Sequence, residues 1–176
     1  IFMSDHGEML GDHGIYLKGP HFYEGVVHVP LILRWPEKIR AGERAEALIE
    51  LVDLCPTLLE AAGLDIPDRI QGRSFFPVCT GEAESTPHRD SVYSEYYNAW
   101  THNRSYGTML RTEKEKIVIY HGDDVGELYD LEEDPGEFTN LWDEPAHREK
   151  KLALLKQAFD RSVLTMDPIP PRLGAF

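Results

Sequence analysis

Four short runs between Ser91 and Leu131 constrain the fold of this 176-residue chain more than any other feature. Ser91 to Tyr97, Gly107 to Thr112, Lys116 to His121 and Glu127 to Leu131 are rich in β-branched and aromatic residues, with turn signals at Lys114-Glu115 and at His121-Gly122-Asp123-Asp124. Short strands at such close spacing predict an antiparallel meander. Glu144 to about Leu164 then reads as a helix, and the spacing predicts that Leu152, Leu155, Phe159 and Val163 face inward. Pro168, Pro170 and Pro171 keep the tail from continuing that helix, so 167–176 is an extended arm. The expected product is a small sheet covered by one helix.

The first half has a different texture. Val29-Pro30-Leu31-Ile32-Leu33-Arg34-Trp35-Pro36 is an apolar run with prolines confined to its ends. Such a run predicts a strand buried on both faces of a parallel or mixed sheet. Leu54 to Gly63 predicts a helix, with Asp53 as N-cap, Pro56 in the first turn and Gly63 as the stop. Its expected core-facing stripe is Leu54, Leu58, Leu59 and Ala62. Residues 64–90 are a long connection, with a turn at Gln71-Gly72-Arg73-Ser74 and a boundary between about Phe75 and Arg89.

Charge and cysteine usage exclude several functions. Thirty-one acidic against eighteen basic side chains give a net charge of −13, the wrong sign for a nucleic-acid partner. No apolar run approaches the roughly 20 residues of a membrane-spanning segment. Cys55 and Cys79 have neither metal nor redox spacing, and a disulfide between them stays open.

Chemistry concentrates in the opening stretch, where His6, His13, His21 and His28 account for four of the eight histidines. Ile1-Phe2-Met3 reads as the end of a buried strand, and Ser4-Asp5-His6-Gly7 as the turn leaving it. In open α/β sheets ligands bind outside the carboxyl ends of strands. Adjacent residues on a straight strand point to opposite faces, but a turn frees Asp5 and His6 to converge on a divalent cation. The dipeptide alone also fits an ordinary Asp turn beside a solvent-facing histidine. Asp12-His13-Gly14 repeats the pattern, as a second ligand pair, as hydrogen-bonding support for the first, or as loop chemistry. Lys18 and His21, set in a loop by Gly19 and Pro20, offer positive charge and a proton donor for an anionic group in transfer; surface charge is the other reading of both.

Taken together, the motifs resemble the C-terminal half of a type I sulfatase of the alkaline phosphatase superfamily. They are Ser4-Asp5-His6-Gly7-Glu8-Met9-Leu10-Gly11-Asp12-His13-Gly14 with Lys18, then Phe22-Tyr23-Glu24, and the strand from Val29 to Pro36. Asp53 to Gly63, Gln71 to Ser74, and Glu127-Leu128-Tyr129-Asp130-Leu131 through Asp134-Pro135 and Glu137 to Asn140-Leu141 follow in the family's order. The similarity runs from Ile1 to about Leu155. It implies an α/β fold: the C-terminal part of an alkaline-phosphatase-like α/β sandwich over 1–88, then a small antiparallel sheet packed with one C-terminal helix over 89–176.

The resemblance further implies that Asp5 and His6 bind one divalent metal, usually Ca2+, with Mn2+ or Mg2+ as alternatives, and that Lys18 contacts the sulfate. His21 approaches the substrate, and Asp12 and His13 support the metal ligands. The run from Tyr96 to Arg104, with Trp100, His102 and Arg104, is a candidate substrate rim. The implied substrate is a sulfated small molecule or carbohydrate, and the implied compartment is periplasmic or secreted. The family nucleophile, a formylglycine made within a Cys/Ser-x-Pro/Ala-x-Arg motif, has no counterpart at Cys55 or Cys79. The chain opens at Ile1 without an initiator Met, so the expectation is a C-terminal piece whose N-terminal half supplies the nucleophile. On its own it is then inactive and binds metal weakly. A phosphonate monoester or phosphodiester hydrolase of the same superfamily, and a non-catalytic fragment, are the competing readings.

Overall fold

The computed structural model describes residues 1–82, 87–97 and 105–165. The meander forms as expected. Strands β3 (Ser91–Tyr97), β4 (Tyr106–Thr112), β5 (Glu115–Tyr120) and β6 (Gly126–Asp130) pair antiparallel in sequence order. Their register places Tyr93, Leu110, Ile117 and Leu128 directly opposite one another across the sheet. Alternation then sends Met109 and Val118 to the other face. The first face packs against helix α4 (Arg148–Leu164). The second closes over Phe22 from the opening stretch. Each of these buried aliphatic side chains contributes about 1.5–3 kcal/mol by leaving water.

Helix α4 meets the sheet through a different stripe from the one expected. Leu154 and Ala158 are buried, with Leu155 packed beside them, whereas Leu152, Phe159 and Val163 are exposed. Apolar residues occur nearly all round this helix, so spacing alone does not select its phase. The Leu154–Ala158 pair, four residues apart, sets a small side chain against the sheet and lets the helix come close.

The first half also departs from expectation. Of the Val29–Pro36 run only Leu31–Ile32 (β2) is paired, antiparallel to Phe2–Met3 (β1). Among the described residues this sheet has two strands, and Phe2 and Ile32 are exposed rather than buried on both sides. Helix α1 (Glu24–Val27) follows the site loop. Helix α2 (Leu54–Ala61) ends as predicted. Gly63 is left-handed, Leu64 N–H bonds the Leu59 carbonyl and Gly63 N–H bonds that of Glu60. Its buried residues are Pro56 and Thr57, while Leu58 and Ala62 are exposed. A short helix α3 (Phe76–Thr80) lies within the expected long connection.

Asp53 does not cap α2. Its side chain accepts the Glu50 N–H at 2.9 Å in a capping box around the preceding 3-10 turn, and the Arg73 N–H at 2.7 Å. Arg89 joins it, bridging Asp53 and Glu50, and Glu50 continues to Arg161 on α4 at 2.7 Å. This buried ion cluster links the first half to the C-terminal sheet and helix. Both cysteines are free thiols, Cys55 exposed and Cys79 half-buried.

Candidate functional site

Asp5 and His6 leave β1 through the expected turn. Ser4 Oγ donates to the His6 carbonyl at 2.6 Å, and Asp5 Oδ1 accepts the His6 N–H at 3.0 Å. His6 Nδ1 lies 2.8 Å from the Gly7 carbonyl oxygen. A carbonyl can only accept, so Nδ1 carries a proton, and in the neutral ring Nε2 keeps its lone pair. That nitrogen sits 3.8 Å from Asp5 Oδ2. With side-chain exposures of 83% for Asp5 and 41% for His6, both groups are open to solvent. Among the described residues no group of three or more His, Cys, Asp or Glu side chains is arranged to hold a metal. Asp5 and His6 thus offer one carboxylate and one imidazole as two candidate donors.

The turn is seated by close backbone contact. Gly7 N–H bonds the Val26 carbonyl at 2.7 Å, and a Cβ on Gly7 would meet the Gly25 carbonyl oxygen at 2.0 Å. Only glycine permits that approach of the Asp5–His6 turn to α1.

Lys18 and His21 flank a tight turn, in which His21 N–H reaches the Lys18 carbonyl at 3.4 Å and Gly19 is left-handed. The His21 ring folds back over Gly19, where a Cβ would lie 2.9 Å from it. Asp5, His6, Lys18 and His21 line one broad concavity. Asp12 and His13 are not brought to Asp5 or His6 by any hydrogen bond among the described residues. His13 instead donates from Nε2 to the Gly136 carbonyl at 3.0 Å, and its ring stacks between Tyr23 and Phe138 at 4.0 and 4.7 Å. The residues Trp100, His102 and Arg104 lie outside the described residues.

The structure adds a group absent from the motifs. Lys116, fully buried in β5, places Nζ 2.9 Å from the Phe22 carbonyl, 2.7 Å from Glu24 Oε1 and 2.6 Å from Glu137 Oε1. The ammonium thus donates to the Phe22 carbonyl and forms close ion pairs with both carboxylates. Glu137 Oε2 also accepts the Glu24 N–H at 2.7 Å. Burial pushes the Glu24 carboxyl upward, but Lys116, Arg111 and His28 outweigh it and hold the group below its ordinary range. The available signal is a lysine beside the apolar run Ile117-Val118-Ile119, which surface charge does not explain. On the same face burial, with Glu127 beside them, raises the Tyr23, Tyr120 and Tyr129 hydroxyls.

Against known proteins, the family model described as N-sulphoglucosamine sulphohydrolase, C-terminal, matches residues 11–162. The chain belongs to the sulfatase family. An N-acetylglucosamine-6-O-sulfatase of Bacteroides thetaiotaomicron is 34% identical over 175 residues, covering 96% of this sulfatase chain and 31% of that protein. Arylsulfatase K of Xenopus laevis is 36% identical over 149 residues, covering 80% and 27%. A structure solved in complex with its substrate D-glucosamine-2-N,6-O-disulfate superposes with a TM-score of 0.84 at 31% identity, covering 98% of this chain and 35% of that one. A phosphonate monoester hydrolase of Agrobacterium radiobacter gives the same TM-score at 29% identity, covering 95% and 35%. The sulfatase chain thus spans about a third of the length of the relatives it matches.

Proposed function

We propose that this chain is the C-terminal portion of a sulfuric ester hydrolase acting on a sulfated carbohydrate, with 1–88 completing the catalytic α/β domain and 89–176 forming a C-terminal subdomain. One observation carries the reading. In a sulfatase-family chain, His6 Nε2 and Asp5 Oδ2 converge in the concavity that also presents Lys18 and His21. The glucosamine disulfate bound by one structural relative supports the substrate class.

Asp5 and His6 would hold a divalent cation, Ca2+ by family habit, through one carboxylate oxygen and the free Nε2 lone pair. Bound there, the cation supplies Lewis-acid stabilisation of charge on the sulfuryl oxygens. Lys18 binds a sulfuryl or leaving-group oxygen, and His21 donates a proton to the departing alcohol. The family's formylglycine nucleophile comes from residues outside this chain.

Activity of the polypeptide that combines this chain with a nucleophile-bearing half tests the proposal. Turnover of an aryl sulfate that falls on Asp5→Asn, His6→Ala or Lys18→Ala is the expected result, and the 176 residues alone give none. Faster turnover of a phosphodiester than of an aryl sulfate would replace the sulfatase reading with a phosphonate or phosphodiester hydrolase.

A further inference from the structure

The loop carrying Lys18 and His21 has no regular secondary structure between Ile15 and Tyr23. On its N-terminal side Leu10 N–H bonds the Tyr16 carbonyl and Gly11 N–H that of Ile15, at 3.0 and 2.8 Å. Its other end is fixed from the C-terminal sheet and the loop after β6. Phe22 is gripped twice, by Lys116 Nζ on its carbonyl and by a ring buried against Met109 and Val118. Gly107 makes room for that ring, since a Cβ there would lie 2.7 Å from it. Glu24 is held by its N–H on Glu137 and its carboxylate on Lys116.

The loop after β6 repeats the grip residue by residue. Gly136 takes the His13 imidazole on its carbonyl, Glu137 takes Glu24, and Phe138 stacks on His13. Tyr23 then stands between His13 and His21, with ring centroids at 4.0 and 5.9 Å. A continuous set of contacts therefore runs from 136–138 to His21. A buried ion cluster is weak evidence for stability, because well-packed apolar side chains often do as well. What it provides here is direction. Lys116 Nζ has three oxygens within 2.9 Å, and two of them belong to Phe22 and Glu24.

We propose that Lys116 and Glu137 are positioning residues for the reaction, holding the Lys18–His21 loop in its working geometry through residues 22–24. The inference rests on the reading of Lys18 and His21 as the sulfate-facing groups. Neither Lys116 nor Glu137 touches substrate; both act through the loop.

A double-mutant cycle in the complete sulfatase polypeptide separates positioning from simple stabilisation. An aryl sulfate with a good leaving group keeps slow variants measurable. Lys116→Met is expected to lower kcat/KM by about 10- to 100-fold, the scale of a remote misplacement of catalytic groups. Most of that loss falls in kcat, and calcium affinity stays within about twofold of wild type. In a Lys18→Ala/His21→Ala background the same substitution costs less than about twofold, because nothing remains to be positioned. An equal loss in both backgrounds, or no loss in the wild-type background, overturns the proposal. If Lys116→Met does not accumulate as folded protein, Glu24→Gln, which keeps an acceptor oxygen, is carried through the same cycle and read by the same criterion. Should Lys18→Ala/His21→Ala itself leave turnover unchanged, the site assignment falls and the positioning proposal with it, a pattern distinct from an additive cycle.

Discussion

Gly7 and Gly25 face each other where the Asp5–His6 turn meets α1, and replacing either with alanine has opposite consequences. A Cβ on Gly7 would lie 2.0 Å from the Gly25 carbonyl oxygen, 3.0 Å from its carbon and 3.2 Å from Val26 Cα. All three are backbone atoms, so no side chain can swing aside. The turn must lift by about 1 Å, an overpacking strain of about 1–3 kcal/mol. Lifting it also breaks the 2.7 Å bond from Gly7 N–H to the Val26 carbonyl, a further loss of about 1 kcal/mol. The sum is about 2–4 kcal/mol, or roughly 5–15 °C in Tm for a chain of this size. On Gly25 the same Cβ would find only ordinary contacts at 3.7–4.0 Å, with Glu8, Asp12 and Met9. Gly25→Ala within α1 is then neutral, or stabilising by up to about 1 kcal/mol. Differential scanning calorimetry of the two variants measures both. Equal shifts, or a Gly7→Ala loss below about 0.5 kcal/mol, would refute the close-approach argument.

Three further outcomes follow from the packing. Asp53→Asn keeps the shape but removes the charge that Arg89 meets in a fully buried site, so urea denaturation should show a loss of about 3–5 kcal/mol. Leu110→Ala, at a fully buried position under α4, should cost about 2–5 kcal/mol, whereas Leu152→Ala on the exposed side of α4 should stay within about 0.5 kcal/mol; the reverse order would restore the stripe expected from spacing. Glu24 has a folded-state pKa below its ordinary value of 4.5, so its stabilisation is complete above that value and lost as pH falls through the lowered one. The stability gap between wild type and Glu24→Gln should accordingly narrow in denaturant titrations taken below pH 4.5, and a gap independent of pH would contradict the assignment.

The meander is legible because a strand period of two, interrupted by turn residues, admits few alternatives. All four strands appear within a residue or two of their expected bounds. The Gly63 stop of α2 is legible for a similarly local reason, the left-handed conformation that glycine favours. Helix facing is not. In α4 and α2 apolar residues occupy more than one stripe, and the choice depends on a partner surface that periodicity does not contain. The same limit explains β1 and β2, whose apolar residues indicate a buried sheet although two strands meet here among the described residues. Asp53 reads as a cap from its sequence neighbours, but its partners Arg73, His88 and Arg89 lie 20 to 36 residues away.

Within the site, legibility divides along the same line. The Asp5-His6-Gly7 turn is local, and the structure forms it with His6 Nδ1 on the Gly7 carbonyl. Lys18 and His21 are visible as residue types, but what holds them is not, because that hold spans about a hundred positions of sequence. Glu24 and Glu137 belong to separate motifs with nothing local to join them. A lysine at 116, between the turn at Lys114-Glu115 and an apolar run, is the one sign that a buried anion waits opposite. The three meet because β5 turns Lys116 toward the face that covers Phe22. The loop that carries Lys18 and His21 is thereby tied to the register of a sheet that begins seventy residues later. A one-residue slip of β5 would turn Lys116 to the α4 face and remove the cation that Glu24 and Glu137 share. The cost of that slip fixes the strand register and the site loop together.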